Sequence, residues 1–219
     1  MAVFIITMGS IIKIIIILFV TTSCKAQTIE RYGLDYGEIS GAYYKDMTGF
    51  HNQYVGTWLY TNGNTSLKLI FQTRNHIAYN TSRISYYEDV LAGEYQYIVN
   101  GVEKVNTLSN LNNQSNGMYD YNLLSISCIF FPNTYPQCNE CLPNEKRLEM
   151  ELNEPSRRTI DGLFNSFVLR AFTENGIQKL KVWFVDESRP NLIFDADGNL
   201  TMITGFTIPY GEYTLIKQP

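Results

Sequence analysis

The chain is short of the residues that catalysis usually needs in company. It has two histidines, His51 and His76, and neither stands beside a serine or cysteine to activate, so no nucleophile–base pair is visible. No glycine-rich phosphate loop and no His-Glu-x-x-His pattern occur. Basic residues number 17 against 21 acidic ones, a net charge of −4, and nowhere gather into a stripe. That distribution argues against nucleic acid as a partner, and equally against attraction to anionic lipid through charge. Helical periodicity is missing too, apart from room for one short helix before Tyr54.

What is present favours β-structure. Sixteen Tyr and twelve Phe, with many Ile and Thr, suit a pleated surface, and the Asn and Gly suit tight turns. With 45% hydrophobic and 17% charged residues the chain can build a core rather than remain disordered. Leu67, Leu69 and Phe71 fall on one face of a strand reached from Trp58-Leu59-Tyr60 through Asn62-Gly63-Asn64. Asn100-Gly101, between Glu94–Val99 and Val102–Val105, is a type I′ hairpin signal, because both positions tolerate positive φ. Further strands are expected at Leu123–Phe130, Arg147–Leu152, Phe167–Phe172, Lys179–Val185, Leu192–Phe194, Leu200–Thr204 and Gly211–Lys217. Asn106–Asn122 and Pro132–Glu145 break the rhythm and read as long loops. The expectation is an all-β fold: one antiparallel barrel or sandwich of about ten strands over residues 51–219. Residues 24–50, with Gly33, Gly37, Gly41 and Gly49, read as a tether holding one short ordered piece.

The N-terminus reads as an address. The apolar run from Ile14 to Val20 has the length of a signal-peptide core and is too short to span a bilayer, so residues 1–23 are expected to act as a signal peptide. A start at Met8 would leave Lys13 in a short basic leader. A start at Met1 lengthens the apolar stretch and keeps an uncleaved anchor as an alternative. Two processing routes stay open. Thr21-Thr22-Ser23-Cys24 resembles the lipobox of bacterial lipoproteins, in which Cys24 would be acylated and become the first mature residue, although Thr21 departs from the usual aliphatic residue. Alternatively Cys24-Lys25-Ala26 offers the small residues that ordinary signal peptidase reads, and cleavage after Ala26 would release a soluble protein. Lipidation is the preferred route, with partnership to a membrane through that lipid and residence in the periplasm or on the outer membrane.

The segments I-I-I-I-L-F-V-T-T-S-C-K-A-Q, Y-V-G-T-W-L-Y-T-N-G-N-T-S-L-K, G-E-Y-Q-Y-I-V-N-G-V-E-K-V-N-T-L, N-E-K-R-L and G-E-Y-T-L-I-K-Q resemble the domain-of-unknown-function 6705 family of small exported proteins from Gram-negative bacteria. The resemblance covers nearly the whole chain. It implies an envelope location and supplies no activity, cofactor or catalytic residue.

A second, local resemblance lies in Gly56-Thr57-Trp58, which is similar to the Gly-x-Trp opening strand of lipocalins and other calycins. There the glycine lets the strand bend and the tryptophan closes the barrel floor over a ligand cavity, with a late-strand arginine packed on it. The resemblance gives Gly56 and Trp58 those roles, and Arg170 is the candidate for the third. The Thr-Asp-Tyr signature of lipocalins is absent. A buried tryptophan on an ordinary strand is the simpler and preferred reading of Trp58.

Cys138-Asn139-Glu140-Cys141 is the sharpest constellation. A redox pair should open a helix, yet Leu142-Pro143-Asn144 follows. A zinc site needs four ligands, and only Cys128, His51 and His76 remain to complete it. A structural disulfide among Cys128, Cys138 and Cys141 is the preferred reading for an exported protein, with the pairing left open. Asp195–Asn199 reads as a hairpin turn rather than a calcium loop, for want of a closing Glu. Asn64-Thr65-Ser66, Asn80-Thr81-Ser82 and Asn113-Gln114-Ser115 match the glycan-acceptor pattern by coincidence of an Asn-rich chain. Glu88 and Asp89 are neighbours on a strand, so they should point to opposite faces, and exposed charge at a strand end is expected. No metal, no cofactor and no catalytic residue is assigned. The function expected is a non-enzymatic binding or structural module for a small apolar ligand, a glycan or an envelope partner. The alternatives are a hydrolase or redox enzyme, or an assembly or adhesion subunit presenting an edge strand.

Overall fold

Strands form wherever apolar residues alternate, and their order along the chain closes them into a barrel. The computed structural model describes residues 27–113, 117, 120–157, 163–188, 192–194, 200–202 and 205–219. In chain order the strands are β1 (Thr28–Glu30), β2 (Tyr43–Lys45), β3 (Gly56–Asn62), β4 (Thr65–Asn80), β5 (Ser85–Val99), β6 (Val102–Asn106), β7 (Leu123–Ile129), β8 (Arg147–Leu152), β9 (Asn165–Glu174), β10 (Ile177–Asp186), β11 (Leu192–Phe194), β12 (Leu200–Met202) and β13 (Gly211–Lys217). Two short 3-10 helices, Phe50–Gln53 and Leu108–Asn112, lie between them.

Eleven strands make one sheet, and β11 pairs with β12 in a separate hairpin. Within the large sheet β3, β4, β5, β7, β8, β9, β10 and β13 follow one another antiparallel around a ring that returns to β3. The fold is therefore a closed up-and-down barrel rather than a sandwich. Two of its seams are narrow. β13 meets β3 only at Ile216↔Leu59 and Lys217↔Trp58, and β5 meets β7 only at Ala92↔Leu124 and Gly93↔Leu123.

The turns obey the backbone chemistry expected of them. Asn100 and Gly101 have φ of 52° and 77°, and Asn175 and Gly176 repeat those values between β9 and β10, as type I′ turns require. Alternation then fills the inside. Leu67, Leu69, Phe71, Leu91, Tyr95 and Leu123 are each 0% exposed, and β8, β9, β10 and β13 add inward residues to the same cluster. Gly93 makes room for this packing, since a Cβ there would sit 2.5 Å from the Phe71 ring.

The long strand β5 explains the remaining topology. One edge pairs with β4 from Ser85 to Ile98, while the other is divided among β2 at Tyr87 and Glu88, β7 at Ala92 and Gly93, and β6 beyond Gln96. Below the β5–β7 contact the wall forks. The segment expected to be a tether fills this fork: β1 pairs parallel with β2, and β2 parallel with β5, so the sheet is not wholly antiparallel. Arg31, Tyr32, Ala42 and Tyr44 are buried there. From Thr28 to Lys45 the segment is thus packed into the sheet rather than left as a free tether. The glycines that suggested a linker instead serve turns; Gly37, Gly41 and Gly49 have positive φ.

Candidate functional site

Three places in the barrel gather polar or aromatic side chains. The first is the start of β3. Positive φ at Gly56 (118°) starts β3 on a bend, and a side chain there would also press on Lys217 at 3.2 Å. The buried indole of Trp58 follows and donates Nε1–H to the Tyr54 carbonyl at 2.7 Å, tying it to the end of the 3-10 helix. The cation over this ring is Lys217, 5.2 Å from the centroid, rather than Arg170. Arg170 is engaged elsewhere, in an ion pair with Glu145 at 2.6 Å and against the Phe172 ring. The reason is topological: the last strand, β13, closes the ring onto β3, so its cation is the one that reaches the first strand.

The second place is the fork. Arg31 is 1% exposed and sits where β5 and β7 part. Its Nε–H donates to the Asp89 carbonyl at 2.6 Å and an Nη2–H to the Ser125 carbonyl at 3.1 Å, so one guanidinium bridges two strands that no longer pair with each other. The same Nη2 meets Glu88 at 2.8 Å, and Glu88 also accepts from the Tyr36 hydroxyl. Asp89 accepts from the Tyr43 hydroxyl at 2.5 Å and from the His76 and Asp46 amides. Both carboxylates are thus buried rather than exposed as expected at a strand end; the added β1–β2 segment covers them. Burial raises the Glu88 carboxyl above the ordinary range, against the pull of Arg31 and Tyr36.

Beside the fork, buried His51 lies 2.5 Å through Nε2 from the Tyr32 hydroxyl and 3.5 Å through Nδ1 from Asp46. Burial pushes the His51 pKa down to about 4, Asp46 opposing, so the ring is neutral at physiological pH. An Asp–His–Tyr chain of this kind has the connectivity of a proton relay. Tyr32, however, is itself buried, and burial raises its pKa despite Arg31. The chain is shut inside the wall, where it fixes the entry of the N-terminal segment.

The third place is the outer wall. Cys138 and Cys141 form a disulfide, and Cys128 is a free thiol whose pKa burial raises to about 11. Buried Cys138 packs with Ile129, Val168, Trp183 and Val185 on the outside of the barrel. Arg147, also buried, holds this loop by donating to the carbonyls of Phe131 and Thr134, each at 3.0 Å, and of Pro136, while its guanidinium lies over Trp183. Between the loop and β10–β13 runs an open groove of about 510 Å³, with Tyr135, Gln137, Asp186, Tyr210 and Glu212 in its walls. Glu212 accepts the Trp183 Nε1–H at 3.0 Å and pairs with Lys181 at 3.2 Å.

Among the described residues, no group of three or more His, Cys, Asp or Glu side chains is placed to hold a metal ion. Cys24 and the turn at Asp195–Asn199 lie outside the described residues. Arg31, Glu88, Tyr32 and Arg147 carried no local sequence signal. The nearest hint was charge inside otherwise apolar stretches.

The geometry defines the class: a closed eight-strand, up-and-down β-barrel whose wall is completed by its own N-terminal segment. Over residues 8–218 the chain matches a family described as a family of unknown function (DUF6705), and it belongs to that family. No curated protein matches the chain, and no solved structure does.

Proposed function

We propose that the protein is an exported, envelope-anchored barrel that serves as a non-enzymatic binding or structural module and works through its outer surface. The observation that carries this is the filled interior. A cavity able to take a ligand would admit water, and the inward side chains of β4, β5, β7, β8, β9, β10 and β13 would then be accessible. Instead, among the described residues, the core cluster on these strands stands between 0% and 8% exposed, with Val99, Cys128 and Ala171 partly buried beside it. The floor supports a calycin-like reading of the barrel, since Gly56, Trp58, a preceding 3-10 helix and a last-strand cation come together there. Ligand contact falls to the outer groove, whose aromatic rings and carboxylates suit a neutral glycan: rings stack on the sugar's CH faces, and acidic and amide groups accept its hydroxyls. The buried relay and the disulfide do not favour an enzyme, because neither Tyr32 nor Cys138 presents a reactive atom to solvent.

Native mass spectrometry on the protein purified from its own envelope tests the reading. The expected result is chain mass plus acyl groups that disappear in Cys24→Ala, with no apolar cargo. A retained lipid in stoichiometric amount would return the ligand to the interior and overturn it.

A further inference from the structure

The loop pinned by Arg147 carries three large apolar side chains that the barrel leaves uncovered: Phe130 (43% exposed), Phe131 (68%) and Leu142 (69%). A flexible loop could fold such residues away. This one is held by three guanidinium–carbonyl bonds, by the Cys138–Cys141 disulfide and by the Arg170–Glu145 pair, so the apolar groups are displayed at fixed positions.

Their place in the barrel matters as much as their exposure. β7 runs antiparallel to β5, whereas β2 and β1 run parallel to it, so β7 ends at the level where β1 begins. Tyr87, which pairs with Tyr43 and through it with Thr28, lies five residues before Ala92; Ile129 lies five residues after Leu124, the partner of Ala92. Arg31 gives an independent alignment. It bonds the Ser125 carbonyl, so the chain three residues earlier, at Thr28, is directed toward the Ile129–Phe131 end of β7. Thr28, where β1 begins, therefore lies at the level of the two phenylalanines.

We propose that Phe130 and Phe131, with Leu142 on the same loop, form a contact patch that seats this end of the barrel in the lipid headgroup region. The proposal rests on the reading of Cys24 as the anchored residue. Cys24 is four residues before Thr28, and four extended residues span at most about 14 Å, so an acylated Cys24 holds this end against the bilayer. Aromatic and aliphatic side chains at that depth gain by leaving water. No basic cluster is needed, which fits a chain of net charge −4, and contact through apolar burial should persist in high salt.

The test uses the exported full-length product carrying Phe131→Trp, in vesicles of phosphatidylethanolamine and phosphatidylglycerol, some with brominated acyl chains. Trp58 and Trp183 are buried, and their emission is subtracted with the unsubstituted protein. The patch predicts a blue-shifted signal, quenched by roughly half or more by the bromines and unchanged by salt. It also predicts loss of that quenching when Phe130→Ser and Leu142→Ser are added. Solvent-like, unquenched emission overturns the patch, including the case in which the loop serves a protein partner instead. Mass analysis of the N-terminal peptide in the same sample separates the two claims. Acyl groups on Cys24 with an unquenched tryptophan sink the patch alone, whereas quenching without acylation sinks the anchor and leaves the patch standing.

Discussion

Two buried arginines hold two regions of this barrel, and they do so on different terms. Arg31 sits in the fork between β5 and β7, and Arg147 sits beneath the disulfide loop on the outer wall. Each satisfies backbone carbonyls that lack a strand partner, a task that suits a planar group with five donors. Arg31 also faces the buried carboxylate of Glu88, while the acidic residues of the loop pair with other cations: Glu145 with Arg170, Glu140 with Lys181. The comparison teaches that the same residue type can close a seam as part of a charge pair or pin a loop as a pure donor. The penalties for losing each should differ accordingly.

The largest expected effect is at the fork. Arg31→Met should cost about 3–5 kcal/mol, because it strands Glu88 as an unpaired buried charge and releases the Asp89 and Ser125 carbonyls. Urea denaturation measures it, and adding Glu88→Leu should return part of the loss. If the double variant is no better than the single, the charge pair is not what distinguishes the two arginines. Arg147→Met should cost less, about 1–3 kcal/mol, since it frees carbonyls at the surface of the wall and leaves no carboxylate alone. An equal or greater loss than at Arg31 would break the comparison. Smaller again is the disulfide: Cys138→Ser with Cys141→Ser removes a cross-link that closes a loop of sequence separation only 3, a loss of about 2 kcal/mol or less. Its main consequence should be protease sensitivity between Pro132 and Glu145, read by limited digestion.

A pH dependence sharpens the fork side. The folded pKa of His51, about 4, is depressed from its ordinary 6.5, so the unfolded chain binds the proton more tightly. The contribution of His51 is fully present above about pH 6.5 and is lost as pH falls toward about 4, amounting to about 3 kcal/mol at most. His51→Gln should flatten the stability profile across that window and leave it unchanged above it. A pH dependence identical to that of the unsubstituted protein would mean that folding leaves the His51 pKa at its ordinary value.

The body of the barrel was legible in sequence because period-two alternation and Asn-Gly turns act locally. The start of β4, the β5–β6 turn, β8 and β13 fall where the pattern put them, whereas β4 runs on past Gln72 to Asn80 and β5 already begins at Ser85. The N-terminal segment was not legible. Its strands are three residues long; β1 pairs with β2, and β2 joins the sheet only through a partner more than forty residues away on β5. Glu88 likewise read as exposed charge and Arg31 lay unremarked in the segment read as a tether, since nothing near either in the chain announces the other. Trp58 is buried, as either reading of it required, but the cation expected over it was Arg170 and the one found there is Lys217. That choice depends on which strand closes the ring, and strand order is a property of the whole chain. The Cys138–Cys141 pair was narrowed by motif alone; the wall it packs on was not.

The occupancy of the interior is tested most directly by titrating the protein with anilinonaphthalene sulfonate, beside a Trp58→Ala variant that removes a buried indole from the floor. The account predicts no stoichiometric binding to the unsubstituted barrel and the appearance of a site in the variant. Saturable binding of one dye per unsubstituted chain, displaced by a fatty acid, would contradict it.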